Sequence, residues 1–306
     1  LNSNIKQSNF KNSTIINASI IRSDFTKSNF EEATVQNSEI VSSIFNSINF
    51  TRGTLLNVRL DNILFRNSIF LGASIWKNNM INADFNGAIL SKANLRNDNL
   101  NNFNIQNTNI RNMVIADVEL TNRQTQVLRN AGVIITADDL SRAAKRGDDL
   151  SSINLSGINI ASITLENVNL SKANLTDTNL SKVKLRNVDL SNAQLQGANM
   201  SIANLDQVIF QNANLNNINM RNANIINSNL QGASIQNGDF LSTTVNNVWF
   251  TNANLYGTNF SSAKLDKINF EKADLNNTIW QNATVKNSNL QAADGLSLEQ
   301  MTNILQ

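Results

Sequence analysis

The most closely spaced acidic residues in the sequence are three pairs, Glu31-Glu32, Asp138-Asp139 and Asp148-Asp149. Paired carboxylates can divide acid and base roles between them when their surroundings push their pKa values apart. The second and third pairs, however, lie beside helix start and stop signals, where capping and solvation account for them. Other Asp and Glu residues stand singly, mostly among Asn. There is no His and no Cys, which removes imidazole bases, thiolate nucleophiles and the usual zinc and copper ligand sets. Gly-rich phosphate loops are absent as well. An enzyme would need a polar cluster in the helical segment near residues 121–149, and no spacing there supplies one. The reading is therefore non-enzymatic, with no catalytic residue, cofactor or metal.

What positions the side chains is a period of five. Every residue number divisible by five is apolar from Ile5 to Leu120 and again from Leu150 to Leu290. An α-helix would scatter such residues around its axis, and a straight strand would send alternate members to opposite faces. A backbone that takes a short extended step and then a corner every five residues points all of them at one axis, which makes a solenoid. Phe25, Phe45, Phe65 and Phe85 recur every twenty residues, as do Phe10, Phe30, Phe50 and Phe70. Four five-residue steps therefore close one coil, and rings at the same angular position are expected to stack in the core.

Two further positions complete the pattern. Two residues before each centre the chain prefers small or β-branched side chains, so this second inward position has little room. Two residues after the centre, Gly72, Gly87, Gly157, Gly197, Gly232 and Gly257 alternate with many Asn. That is a corner, where Gly adopts positive φ without cost and Asn tolerates it. Outward Asn residues such as Asn94, Asn99, Asn104 and Asn109 are expected to form amide ladders between coils.

Ala93-Asn94-Leu95, Ala173-Asn174-Leu175, Ala253-Asn254-Leu255 and Ala273-Asp274-Leu275 resemble the A(D/N)LXX signature of the pentapeptide repeat proteins. The resemblance implies an all-β solenoid, a right-handed quadrilateral β-helix, here in two segments with short capping helices.

The period fails at Thr125, Asn130 and Lys145. Thr121-Asn122-Arg123-Gln124 reads as a capping box, with Val127, Leu128 and Ala131 on one helical face. A second box, Thr136-Ala137-Asp138-Asp139, opens a helix carrying Leu140, Ala143 and Ala144. The expected division is a first solenoid over 1–120, a helical cap and hinge over 121–149, a second solenoid over 150–295 and a capping helix over 296–306. The chain begins at Leu1 rather than Met, and no helix precedes Ile5 to cover the first coil. Further sequence upstream, or a contact between copies, is the expectation there.

Some pentapeptide repeat proteins resemble duplex DNA in charge and bind DNA gyrase or topoisomerase IV, which makes a DNA-mimicking gyrase-binding protein the alternative reading. Mimicry requires an acidic face. Residues 1–120 carry 11 Lys and Arg against 9 Asp and Glu, and the second solenoid 9 against 9. The column of Glu166, Asp206 and Asp266 also holds Arg186 and Lys286, so neither an acidic column nor a basic stripe for direct nucleic-acid contact emerges. Outward apolar residues are more informative. Ile16, Leu56 and Trp76 align in one column, with Gln36 interrupting; Ile21, Val41 and Ile81 align in the next, with Asp61 interrupting. Exposed apolar surface of this kind marks an interaction site. The function expected is a non-catalytic protein–protein interaction scaffold, engaging a protein partner or itself. The Asn-rich, Pro-free composition reads as bacterial; it does not fix the compartment, for which a soluble protein of the bacterial cytoplasm is the expectation, with export where a leader precedes Leu1.

Overall fold

The computed structural model describes residues 3–99 and 103–296. It comprises two compact units, Leu1–Ile135 and Thr136–Gln306. Apart from Leu296, the C-terminal helix expected over 296–306 falls outside the described residues.

In the first unit the extended steps are strands of three residues: β1 (Thr14–Ile16), β2 (Ser19–Ile21), β3 (Thr34–Gln36), β4 (Glu39–Val41), β5 (Thr54–Leu56), β6 (Arg59–Asp61), β7 (Ser74–Trp76), β8 (Asn79–Ile81), β9 (Asn94–Arg96) and β10 (Val114–Ala116). They are short because a corner follows each one. Asn17, Asn37 and Asn57 take φ of 53°, 49° and 53°, and Gly72 and Gly87 take 66° and 72°. Two parallel sheets result, β1-β3-β5-β7-β9-β10 and β2-β4-β6-β8. Single parallel bridges such as Asn4 to Asp24 to Ile44, and Asn9 to Asn29 to Asn49, build the other two faces. Every pairing links residues twenty apart, as in Thr14 with Thr34. The fold is a right-handed quadrilateral β-helix.

The centre residues fill the axis. Phe30, Phe70, Phe85 and Leu60 are fully buried. Phe10 stacks on Phe30 at 4.6 Å and Phe25 on Phe45 at 4.6 Å. At the second inward position, small hydroxyls tie successive coils together: Ser68 Oγ donates to the Phe45 carbonyl at 2.8 Å and accepts from the Ile48 N–H at 3.2 Å. Outside, the expected mid-face bonds form at Asn99, whose Nδ2 donates to Asn79 Oδ1 at 3.0 Å, and at Asn104, whose Nδ2 donates to Asp84 Oδ1 at 2.9 Å, while Asn94, expected to face outward, is fully buried. The corner amides pair as well, Asn57 Nδ2 donating to Asn37 Oδ1 at 2.9 Å.

α1 (Asn122–Asn130) begins at the capping box of Thr121 and Gln124. The expected apolar face of Val127, Leu128 and Ala131 is corrected: Leu128 is buried, while Val127 is 61% exposed and Ala131 is exposed too. Neighbouring residues lie about 100° apart around a helix, and Leu128 takes the side facing the core. Val133 and Ile134 then rejoin the solenoid, Ile134 donating to the Met113 carbonyl at 2.8 Å.

The second unit opens with α2 (Ala137–Lys145), whose capping box joins Thr136 and Asp139. Leu140 and Ala143 are fully buried, and the helix packs against the first strand of this unit. One seven-stranded parallel sheet follows: β11 (Thr164–Glu166), β12 (Lys184–Arg186), β13 (Asn204–Asp206), β14 (Asn224–Ile226), β15 (Thr244–Trp249), β16 (Lys264–Asn269) and β17 (Thr284–Lys286). Phe260 stacks on Trp280 at 4.7 Å and Phe250 on Phe270 at 5.3 Å.

Candidate functional site

The outward apolar columns lie in strict register. Ile16, Gln36, Leu56 and Trp76 are successive partners on β1, β3, β5 and β7. Ile21, Val41, Asp61 and Ile81 are successive partners on β2, β4, β6 and β8. Each is the last residue of its strand, just before the left-handed corner. Ile16 is 47% exposed, whereas Ile21, Val41, Leu56, Trp76 and Ile81 are half-buried. The indole N–H of Trp76 is buried with no hydrogen-bond partner. Another face of the same unit holds Ile69, Leu71 and Ile89, all exposed, with Ile69 bridged to Ile89.

Charges on these faces are balanced locally. Arg52 bonds Glu32 at 2.6 Å and Glu31 at 3.1 Å, Arg59 bonds Glu39 at 2.7 Å, and Arg66 bonds Asp84 at 2.6 Å. In the second unit Glu166 pairs in register with Arg186, and Arg186 with Asp206. Among the described residues no three His, Cys, Asp or Glu could hold a metal ion, and no helix is long and apolar enough to cross a membrane.

A second feature was not singled out from the sequence. A cleft of about 920 Å³ opens in the first unit between the coil carrying Asp98 and the start of α1. Phe103, Ile105, Met113, Ile115 and Leu128 line it, together with Asp98, Asp117, Glu119 and Arg123. Asp98 occupies the second inward position of its repeat and is 6% exposed. Its Oδ1 accepts from the Asn78 N–H at 2.7 Å and from Asn78 Nδ2 at 3.0 Å, and its Oδ2 accepts from the Arg96 N–H at 3.0 Å. Burial pushes its carboxyl up to about 7 despite these three bonds. Asn78 in turn accepts from the Val58 N–H at 2.9 Å and donates to the Leu55 carbonyl at 3.1 Å. A polar column thus runs through the inner wall of the coils.

The family comparisons agree with this geometry. A pentapeptide repeat region model matches residues 163–240 and 203–280, and a model of eight pentapeptide repeats matches residues 79–113. The chain is a pentapeptide repeat protein. No curated protein matches it. Similar solved structures include HetL, a pentapeptide repeat protein involved in heterocyst differentiation regulation from the cyanobacterium Nostoc sp. strain PCC 7120. That alignment is 18% identical and covers 94% of this chain and 89% of HetL, with a TM-score of 0.22. Rfr23, a pentapeptide repeat protein of the cyanobacterium Cyanothece 51142, is 26% identical over 47% of this chain and 97% of its own, with a TM-score of 0.29. QnrB1, a plasmid-mediated fluoroquinolone resistance protein, is 11% identical over 95% of this chain and 97% of its own, with a TM-score of 0.27. In this pentapeptide repeat protein most charged side chains face outward, and Asp98, with Asn78 beside it, is turned into the wall of the coils.

Proposed function

We propose that this pentapeptide repeat protein is a non-catalytic protein-interaction scaffold of the bacterial cytoplasm. Its contact surface in the first unit is formed by Ile16, Leu56 and Trp76 with Ile21, Val41 and Ile81. The supporting observation is the register that stacks Leu56 directly beside Trp76 on a sheet held by backbone bonds on both sides. A partner meeting such a surface finds its apolar groups already ordered, so little conformational entropy is lost on docking. DNA mimicry is the weaker reading, because Glu31 and Glu32 are paired with Lys11 and Arg52, Glu39 with Arg59 and Asp84 with Arg66.

Sedimentation equilibrium of the chain beside the double variant Leu56→Asn, Trp76→Asp tests the proposal, together with capture of interacting proteins by each. A dimer, or a captured protein, that the variant loses while its circular dichroism stays unchanged supports the surface. Identical sedimentation and identical captured proteins would reject it.

A further inference from the structure

We propose that the cleft beside Asp98 is a binding site for a small organic ammonium ion with an apolar body. The cleft, at about 920 Å³, lies in the size range of small-molecule sites, and its combination of an apolar wall with few convergent polar groups is their usual composition. Phe103, Ile105, Met113 and Leu128 supply the apolar wall. Asp98 supplies the anchor. A carboxylate offers about four lone-pair positions, and Asn78 and Arg96 occupy three of those on Asp98, which leaves one on Oδ2 for a further donor.

No lysine or arginine among the described residues pairs with Asp98, and its only polar partners are the amides of Asn78 and the backbone of Arg96. The charged groups that share the cleft come from three elements. Beside the cleft, the Arg96 guanidinium of β9 pairs with Asp117, with Nε 3.0 Å from Oδ2. The segment before α1 adds Asp117 and Glu119, and α1 adds Arg123. With Arg96 and Asp117 neutralising each other, Asp98 and Glu119 face the single charge of Arg123. An entering anion would meet net repulsion. A neutral ligand would leave the Asp98 charge uncompensated, and burying such a charge is costly. An ammonium group provides both the charge and the missing donor. Because the ion prefers ionised Asp98, and burial holds that carboxyl up at about 7, binding below neutral pH expels a proton and weakens as pH falls.

Calorimetric titration of the full chain with hexylammonium chloride and with 1-hexanol, its neutral counterpart, at about pH 8 tests the site. The ammonium ion is expected to bind at least about tenfold more tightly than the alcohol, and Asp98→Asn to abolish that preference. Equal affinities in the unsubstituted protein, no binding of the ammonium ion, or a preference that survives Asp98→Asn would overturn the proposal. A second measurement needs no variant. Carbon NMR titration of the Asp98 carboxyl should show its midpoint falling by about one pH unit or more when hexylammonium is present and staying put with hexanol. A midpoint indifferent to both ligands would equally overturn it.

Discussion

The ring of Phe50 fills the space beside Gly53 that a side chain would occupy: a Cβ on Gly53 would lie under 3 Å from three of the ring carbons. Gly53 sits at the second inward position, where the coils on either side carry Ala33 and Ala73. The ring stack opens at the same point, Phe30 and Phe50 being 6.3 Å apart and tilted by 36°, against 4.6 Å and 11° for Phe10 and Phe30. Gly53→Ala should therefore destabilise the first unit by about 1–3 kcal/mol through overpacking, although Gly to Ala is stabilising where space and backbone permit. Urea unfolding decides it, and an unchanged or higher midpoint would mean that Phe50 moves aside freely.

Asp98 makes the first unit sensitive to pH in a direction opposite to ordinary surface carboxylates. Its carboxyl is raised in the fold from 3.8 to about 7, so the unfolded chain loses its proton first as pH rises. Stability is fullest below 3.8, declines by up to about 1.4 kcal/mol per pH unit through the interval to about 7, and is flat above it. Denaturant unfolding of the first unit between those limits should show the decline, and Asp98→Asn should remove it. A wild-type profile with no such decline would contradict the geometry.

Asp84 acts in the opposite sense at lower pH. Burial raises its carboxyl, but the Asn86 N–H, the Arg66 guanidinium and the Asn104 amide together outweigh burial and hold it below 3.8. Its contribution is present above 3.8 and is lost as pH falls through the lowered value. In the Asp98→Asn background, Arg66→Gln should lessen the loss of stability on acidification; an unaltered acid limb would show that the pair contributes nothing.

Ile202 occupies a corner with φ of 59°. A β-branched residue is strained there, and its side chain is 53% exposed, so little packing offsets the strain. Replacement by Asn, the residue found at many other corners, should stabilise the second unit by about 1 kcal/mol. Thermal unfolding of Ile202→Asn would show a higher midpoint, and a lower one would reveal a contact made by this isoleucine.

Thr136 accepts from the Asp139 N–H while Asp139 accepts from the Thr136 N–H at 2.9 Å. Thr136→Ala should cost the second unit about 1 kcal/mol. Thr136→Ser, which keeps the oxygen, should cost less, and equal losses in both would assign the effect to the methyl group.

The coil itself was legible because each coil repeats the same instruction: Phe25, Phe45 and Phe65 state both the inward direction and the length of one turn. Helix starts were legible from Thr121 and Thr136, since capping is chemistry within four residues. The choice of Leu128 over Val127 as the buried residue was not, because it depends on where the core lies relative to α1. Exposure of the outward columns was equally hidden. Leu56 and Trp76 are half-buried because residues one coil away, distant in sequence, lie beside them. Asp98 is a different case. With Asp148 before Leu150, it is one of only two carboxylates in the sequence that stand two residues before a centre of the five-residue runs, a signal visible in the periodic pattern but lost when acidic residues are considered by their spacing alone.

Because every strand and bridge pairing between coils joins residues twenty apart, the length of the chain behaves as a phase. Duplication of twenty residues inserts one coil and returns each downstream column to its own side. Duplication of five preserves the apolar axis yet turns everything beyond it by a quarter revolution, carrying Trp76 away from Leu56 onto a neighbouring face. Lineages of such proteins can thus lengthen by whole turns while keeping a binding surface, or rearrange that surface by a single repeat without disturbing the interior.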